Sequence, residues 1–427
     1  RYIEINNCIK FNFEQINLKG SMLESKNNIL ALRYGINPYE IAQKINAQKN
    51  IEILGNDLTF ISVSEKERTK HVHRLHPYLG KFIPQLVEVF LKKFFKPGDT
   101  VLDPFSGSGT TLVEANVLGI NSIGIEISPF NVLIQKVKTK KYNVAELEQE
   151  IKSALHRLKQ FSLKFQGGSK TLFDADEKFE TESEYLKEWF SERALQEILF
   201  YKSIIKDYKN QDVLMVILSR SARSARLIPH YDLARPKKPI RERYWCIKHK
   251  RFCEPVQEAY KFIRRYSLDT IKRIKEFDKI RTNAEILIIQ GDSRYVKLPE
   301  HIKVDGVFTS PPYVGLIDYH EQHRYAYELF GFTRFDDKEI GPAFKGSGEN
   351  AKKEYVEGIV AVFQNLSKYI KQSAPIFIVA NDKFNLYPEI GKLCGFELVD
   401  VFHRPVLMRT ERDKNKFYES IFYFKKQ

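Results

Sequence analysis

The sequence predicts an α/β fold in which seven strands form a mainly parallel sheet covered by helices, interrupted by one inserted, largely helical and basic subdomain. Short apolar runs that end in small or acidic residues recur along the chain, and helical patterns separate several of them, as in parallel sheets. Two closing runs joined by a polar stretch predict an antiparallel pair. The runs lie at 100–105, 122–127, 286–290, 304–309, 375–380, 396–402 and 418–424.

One long segment departs from this alternation. It carries helical patterns and a strongly basic stretch, in which positions 220–251 hold eleven Lys or Arg against two acids, Asp232 and Glu242. This composition is typical of a subdomain inserted into the sheet domain. We therefore divide the chain into a flanking element (1–70), a first half of the sheet domain (71–140), the insertion (141–285) and a second half (286–427).

The composition limits the types of binding partner and the cellular compartment that we expect. The formal net charge is +15 over 427 residues, which suits a polyanionic partner. Four scattered cysteines are too few for a disulfide scaffold and favour a reducing cytoplasm. Since we find neither an apolar stretch of about 18 residues nor a signal peptide, we expect a cytoplasmic protein without membrane association.

A glycine-rich turn follows the first predicted strand. Glycine lets the backbone approach a ligand where a side chain would collide, and the helix that follows offers free N–H groups at its start. The turn alone is a weak indication of a nucleotide-like ligand. Its candidate contacts are Asp103, Pro104, Phe105, Ser106, Gly107, Gly109, Thr110 and Thr111.

Two acids at strand ends strengthen this interpretation. Glu126, followed by Ile127, ends the second strand 19 residues after Gly107, where such folds place an acid that accepts hydrogen bonds from ribose hydroxyls. Asp292, followed by Ser293, ends the third and can accept from an adenine amino group. Considered alone, each acid is explained equally well as a solvent-exposed residue at the end of a strand. Three strand ends that agree in order indicate an adenosine-containing cofactor.

The fourth run leads into Ser310-Pro311-Pro312-Tyr313. The exocyclic amino group of a base is a poor nucleophile, so catalysis needs acceptors that hold its hydrogens and align its nitrogen. The Ser310 hydroxyl and the Pro311 carbonyl can accept, Pro312 stiffens the turn, and Tyr313 can stack on a base rotated out of a duplex. A plain Pro-Pro turn beside a locally packed tyrosine is the alternative.

Taken together, these motifs resemble those of the amino-methylating DNA methyltransferases, specifically the cytosine-N4 group with a Ser-Pro-Pro-Tyr motif. A motif upstream, from His76 to Pro84, resembles the segment that closes over the methionine end of the cofactor and adds Lys81 and Phe82 as contacts. The resemblance covers roughly 71–140 and 286–427. It implies a Rossmann-like sheet, S-adenosyl-L-methionine as cofactor, double-stranded DNA as substrate, a flipped cytosine and a separate restriction endonuclease as partner.

Several alternatives stay open. Members with serine at position 310 include exceptions that modify adenine N6, and related Pro-Pro-Tyr loops act on RNA guanine or on protein glutamine. A non-catalytic DNA-binding relative is a further alternative. Methylation at carbon 5 of cytosine requires a cysteine nucleophile, usually after proline, whereas the cysteines here follow Asn7, Trp245, Phe252 and Leu393. Many serine-motif members also place the catalytic half first, whereas here the cofactor half comes first.

The insertion stands where this family would place a target-recognition domain. Three arginines recur every three residues and predict a basic helix face suited to phosphates, and a mixed aromatic and basic stretch follows them. A solvated basic surface is the alternative. The candidate DNA contacts are Arg220, Arg223, Arg226, Arg235, Lys237, Lys238, Arg241 and Arg243.

Cys246, His249 and Cys253 have the residue types of a zinc site. Only these three lie close together in the sequence and no fourth ligand is obvious, with His230 the nearest histidine. The sequence alone therefore favours cysteines without a metal.

Overall fold

A computed structural model describes residues 38–78, 80, 82–164, 178–233, 236–406 and 417–427. Lys81 and Arg235 lie outside the described residues. The chain divides into a unit formed by residues 1–60 and 402–419 and a larger unit formed by 61–401 and 420–427. In the smaller unit, the Asn50 side-chain amide donates to the carbonyls of Asp57 and His403, at 3.3 and 3.0 Å.

Nine strands are described, and seven of them form one sheet in the order β5-β2-β1-β6-β7-β9-β8. The first five of this order run parallel, and β9 pairs antiparallel with β7. This confirms the predicted mixed sheet. The strands are β1 (Thr100–Asp103), β2 (Asn121–Glu126), β3 (Tyr244–Cys246), β4 (Arg251–Cys253), β5 (Ile286–Gln290), β6 (Gly306–Thr309), β7 (Pro375–Ala380), β8 (Phe396–Val406) and β9 (Phe417–Lys426).

The order of the strands indicates where a ligand would bind. β1 lies between β2 and β6, so the chain leaves β1 toward one side of the sheet and returns on the other. In open parallel sheets, ligands bind outside the carboxyl ends of the strands at such a switch point. β3 and β4 form a separate antiparallel hairpin inside the insertion.

Helices cover the sheet and fill the insertion. In chain order they are α1 (Pro38–Leu54), α2 (Glu65–Arg68), α3 (Pro84–Phe94), α4 (Thr110–Val117), α5 (Pro129–Thr139), α6 (Val144–Leu163), α7 (Glu184–Trp189), α8 (Glu192–Ile204), α9 (Gln211–Ala225), α10 (Tyr260–Asp278), α11 (Tyr319–Gln322), α12 (Arg324–Phe330), α13 (Glu349–Leu366) and α14 (Tyr387–Leu393).

Local sequence sets where several helices start. The Ser128 hydroxyl accepts from the backbone N–H of Asn131 at 3.2 Å, and Pro129 supplies the fixed φ of the first helical position of α5. Asn143 and Ser183 cap α6 and α7 in the same way. α4 begins instead at Gly109, whose φ of 80° is left-handed, because the chain must turn sharply after β1.

The helices of the insertion share a hydrophobic core with helices next to the sheet. Phe130 of α5, Leu158 of α6, Ile217 of α9 and Phe277 of α10 belong to one buried cluster. A second cluster lies between the sheet and α13. Within the described ranges, no helix is both long and apolar enough to cross a membrane.

Candidate active site

A cavity opens at the carboxyl ends of β1, β2, β5 and β6. It holds about 890 Å³ of empty space, a volume that includes solvent at its mouth. The two predicted halves of the site meet in it, although they are about 200 residues apart in sequence. The predicted residues that line it are Phe82, Pro104, Phe105, Ser106, Gly107, Thr110, Glu126, Ile127, Asp292, Ser293, Ser310 and Pro312.

The glycine turn is braced from behind by α5. Gln135 donates from its side-chain amide to the Gly107 carbonyl at 2.7 Å, and the Lys138 ammonium donates to the Ser108 carbonyl at 2.6 Å. A Cβ at position 109 would lie 3.0 Å from Cγ of Gln135, so the turn fits closely against the helix. The buried Ser108 hydroxyl has no hydrogen-bond partner among the described residues, and this unused polar atom lies in the cavity lining.

Glu126 connects the ends of β1 and β2. Its carboxylate accepts from the backbone N–H of Gly107 at 2.8 Å and of Ser128 at 2.9 Å, and from the Asn131 amide at 3.3 Å. Burial raises the pKa of Glu126 to about 7, although these donors act in the opposite direction. A carboxylate held in this way can accept hydrogen bonds from the hydroxyls of a sugar.

Asp103 lies beneath the cavity rather than in its lining. Its carboxylate accepts from the Thr309 hydroxyl at 2.6 Å and from the backbone N–H of Phe105 at 3.1 Å. Burial raises its pKa to about 6. Asp103 thus connects the glycine turn to the strand that carries the catalytic motif. Gly109 and Thr111 are also absent from the lining, so direct ligand contact by these three residues stays a prediction.

At the end of β5, Asp292 forms a salt bridge with Arg294, whose side chain donates to both carboxylate oxygens at 2.6 to 3.1 Å. Ser293 donates from its hydroxyl to the Pro104 carbonyl at 2.6 Å. The loop after β5 is thereby fixed to the loop after β1, and both aspartate and serine line the cavity.

The catalytic motif spans two cavities. Ser310 and Pro312 line the larger cavity described above. Tyr313 lines a second cavity of about 430 Å³ with Asn381 and Asp382. The Pro312 carbonyl accepts from the hydroxyl of Tyr355 at 2.8 Å. Pro311 is buried and lines neither cavity. The motif therefore contributes consecutive residues to both cavities.

Tyr78, Tyr319, His320 and Glu339 complete the lining of the larger cavity. The rings of Tyr78 and Tyr319 stack with centroids 6.1 Å apart, and Glu339 accepts from the backbone N–H groups of Tyr319 and His320 at 3.2 and 2.8 Å. Glu339 also contacts the His320 ring. Tyr78 stands in the motif upstream of Phe82, so it had a sequence signal, whereas Glu339 lies in a loop outside every motif and had none.

The three arginines with a spacing of three do not form an exposed basic face. Arg220 and Arg226 are buried, and the Arg220 guanidinium pairs with Asp269 at 2.8 Å while it lies over the ring of Tyr266. Arg223 is half-buried on the same side of α9. The prediction that they contact DNA phosphates is wrong for Arg220 and Arg226, because the face they share is the one that packs inward. Lys237, Lys238, Arg241 and Arg243 are exposed.

Comparison with known proteins agrees with this geometry. The model of the N6/N4 methyltransferase family, described as a DNA methylase, matches residues 16–137. The chain is 46% identical over 439 residues to the type II methyltransferase M.MjaII of Methanocaldococcus jannaschii, covering 86% of this chain and 83% of that protein. It is 26% identical to the type II methyltransferase M.MvaI of Kocuria varians, over 64% of this chain and 58% of the relative.

Proposed function

Because the chain belongs to the family of S-adenosylmethionine-dependent DNA amino-methyltransferases, we propose that it methylates the exocyclic N4 of a cytosine rotated out of duplex DNA. The observation that carries the proposal is that one motif lines both cavities, with Ser310 and Pro312 in the larger one and Tyr313 in the smaller one. We assign the larger cavity to the cofactor and the smaller one to the base.

The residues of the larger cavity fit the cofactor. The turn at Gly107 leaves room beside the helix start for its amino-acid end, and Glu126 offers a carboxylate where its ribose hydroxyls would lie. The unused Ser108 hydroxyl is a further polar group for it. S-adenosylmethionine supplies an electrophilic methyl group on a sulfonium, which is transferred by direct displacement.

The chain's own residues prepare the nucleophile. In the smaller cavity, Tyr313 would stack on the rotated base, and the wall that Asn381 and Asp382 form would limit its size. From the larger cavity, the Ser310 hydroxyl would accept a hydrogen bond from the amino group. The carbonyl of Pro311, which is buried between Ser310 and Pro312 in the chain, is proposed as the second acceptor. This favours a pyramidal nitrogen whose lone pair is aimed at the methyl carbon. Tyr355 holds the loop in place through the Pro312 carbonyl.

The basic part of the insertion supports the assignment of duplex DNA as the bound substrate. The rings of Tyr78 and His323 stack with centroids 5.5 Å apart, and Arg226 lies over the ring of Tyr325, 4.9 Å from its centroid. Arg226 directly precedes the stretch that carries Lys237, Lys238, Arg241 and Arg243. This stretch therefore starts close to the part of the larger cavity that Tyr78 lines. We propose that it contacts phosphates and base edges there. A separate restriction endonuclease with the same target site would be its partner.

Mass spectrometry of nucleosides tests the proposal. The protein is incubated with S-adenosylmethionine and unmethylated DNA of mixed sequence, and the digested DNA is searched for methylated bases. N4-methylcytosine is the expected product, formed much more slowly in a parallel timed reaction with Ser310→Ala. N6-methyladenine would retain the fold and mechanism but reject cytosine as the target, and methyl transfer to RNA alone would reject DNA.

A further inference from the structure

Four potential metal ligands converge at the base of the β3–β4 hairpin. One ring nitrogen from each of His230 and His249 and the sulfurs of Cys246 and Cys253 all lie within 4.8 Å of one another. Nδ1 of His230 is 3.9 Å from Sγ of Cys246, and Nδ1 of His249 is 3.5 Å from Sγ of Cys253. The fourth ligand, which the sequence did not reveal, comes from the loop after α9.

These separations match a tetrahedral zinc site. With Zn–S near 2.3 Å and Zn–N near 2.0 to 2.1 Å, a sulfur and a nitrogen on one tetrahedral zinc are about 3.5 Å apart. The His230–Cys246 and His249–Cys253 separations of 3.9 and 3.5 Å are close to this value, and all separations in the set are within 4.8 Å, so a bound ion would draw the four atoms together. Two thiolates and two neutral imidazoles balance the ion's charge and leave no open position, which is typical of a structural site rather than a catalytic one.

The hairpin gives an independent reason for a metal. Its strands have three residues each, too few for a stable two-stranded ribbon in water. Its large apolar side chains point outward, with Trp245, Ile247 and Phe252 each more than half exposed, whereas Cys246 and Cys253 are the buried residue of each strand. The side chains inside the hairpin are thiols, so a metal bound by them would replace the missing apolar core.

The backbone and a neighbouring tyrosine shape the ligand set. The N–H groups of His249 and Lys250 donate to the Cys246 carbonyl at 3.2 and 2.8 Å, and Lys250 has a φ of 51°. This tight, left-handed turn brings His249 back to the cysteines. The hydroxyl of Tyr244 lies 3.1 Å from the same Nδ1 of His230 and holds the ring beside the cysteines, and a metal bound at Nδ1 would replace this hydrogen bond.

We propose that His230, Cys246, His249 and Cys253 bind one structural Zn²⁺ that ties the β3–β4 hairpin to the loop after α9. The site lies within the basic stretch, so the ion would fix the surface formed by the exposed aromatic and basic residues of the hairpin. This proposal does not depend on the target base or on methyl transfer.

The full chain, purified under reducing conditions and dialysed against EDTA, is tested by elemental mass spectrometry for retained metal. We expect one equivalent of zinc, and its release when a mercurial reagent titrates the thiols of the intact protein, a measurement that needs no variant. Cys246→Ser and Cys253→Ser should each lose the zinc, whereas the control Cys394→Ser should keep it, since that half-buried thiol lies outside the cluster. Reconstitution with Co²⁺ should give the intense visible absorption of a tetrahedral site with thiolate ligands.

Three results would overturn the proposal. The first is a reduced, folded chain that retains no zinc after dialysis and takes up no Co²⁺. The second is zinc that remains stoichiometric in the Cys246→Ser/Cys253→Ser double variant, with circular dichroism as the check of folding. The third is a disulfide between Cys246 and Cys253 in protein that has been purified and kept under reducing conditions throughout, which peptide mass mapping would detect.

Discussion

The Glu126 carboxylate accepts a 2.8 Å hydrogen bond from the backbone N–H of Gly107, so the acid that ends β2 is fixed to the glycine turn that follows β1. The two features that identify the cofactor half in the sequence are therefore one structural unit. The same carboxylate also accepts from the first turn of α5. Its position, and not only its charge, is set before any ligand binds.

The raised pKa of Glu126 predicts opposite pH effects on folding and on cofactor binding. Because its pKa is about 7 in the fold, against an ordinary value of 4.5, the folded chain favours the protonated carboxyl. The stability from this group is fully present below about pH 4.5 and is lost as the pH rises through 7. Thermal unfolding of the ligand-free protein between pH 5 and pH 8 should therefore show a steeper loss for the wild type than for Glu126→Gln.

Cofactor affinity should follow the ionised form, which accepts hydrogen bonds from hydroxyls more strongly. We expect S-adenosylmethionine affinity of the wild type to rise by roughly tenfold between pH 6 and pH 8, with a flatter profile for Glu126→Gln. Calorimetric titration at each pH measures it. Equal pH slopes for the two proteins would show that Glu126 does not bind the ribose.

Ser310 is predicted to act on the reaction rather than on cofactor binding. Ser310→Ala removes the hydroxyl that is proposed to accept from the amino group, and positioned hydrogen-bonding groups of this kind contribute on the order of 10²-fold or more to the rate. We expect single-turnover methyl transfer to fall by that factor while the Kd of S-adenosylmethionine changes little. Ser153→Ala on the exposed face of α6 serves as the control. An unchanged rate would remove Ser310 from the mechanism.

Arg220 is predicted to be a stability residue. Arg220→Ala removes the ion pair with Asp269 and the contact between the guanidinium and the Tyr266 ring. Loss of one partner from such a pair costs about 2–4 kcal/mol, given that Asp269 is partly exposed. Denaturant unfolding should show this loss, and the salt dependence of DNA binding by the folded fraction should be unchanged. A shallower salt dependence without loss of stability would restore Arg220 as a phosphate contact.

The sequence was informative wherever local chemistry repeats in a fixed order. Apolar runs predicted the strands, and Gly107, Glu126 and Ser310 were singled out because each stands at or shortly after the carboxyl end of a strand that faces the cleft. Parallel strands bring such ends together whatever lies between them. This is why residues about 200 positions apart could be assigned to one site.

The sequence failed where the outcome depends on which face of an element packs inward. A spacing of three places Arg220, Arg223 and Arg226 on one side of a helix, but it does not say whether that side meets solvent or the core. Here Asp269 and the rings of Tyr266 and Tyr325 take up the buried guanidinium groups. Glu339 was missed for a related reason, and His230 was noted only as the nearest histidine, because only the fold brings these two residues to their partners.

The exposed lysines of the insertion are predicted to contact phosphates. Lys237 and Lys238 stand side by side in the basic stretch and are both exposed. If each neutralises one phosphate, the double change to alanine should reduce the slope of log K against log salt by about 2, with weaker binding to all sequences. Fluorescence anisotropy with a labelled duplex over a salt series measures this slope. Lys159→Ala, an exposed lysine on α6, should leave it unchanged, and an equal slope for the Lys237/Lys238 variant and the wild type would place the DNA elsewhere.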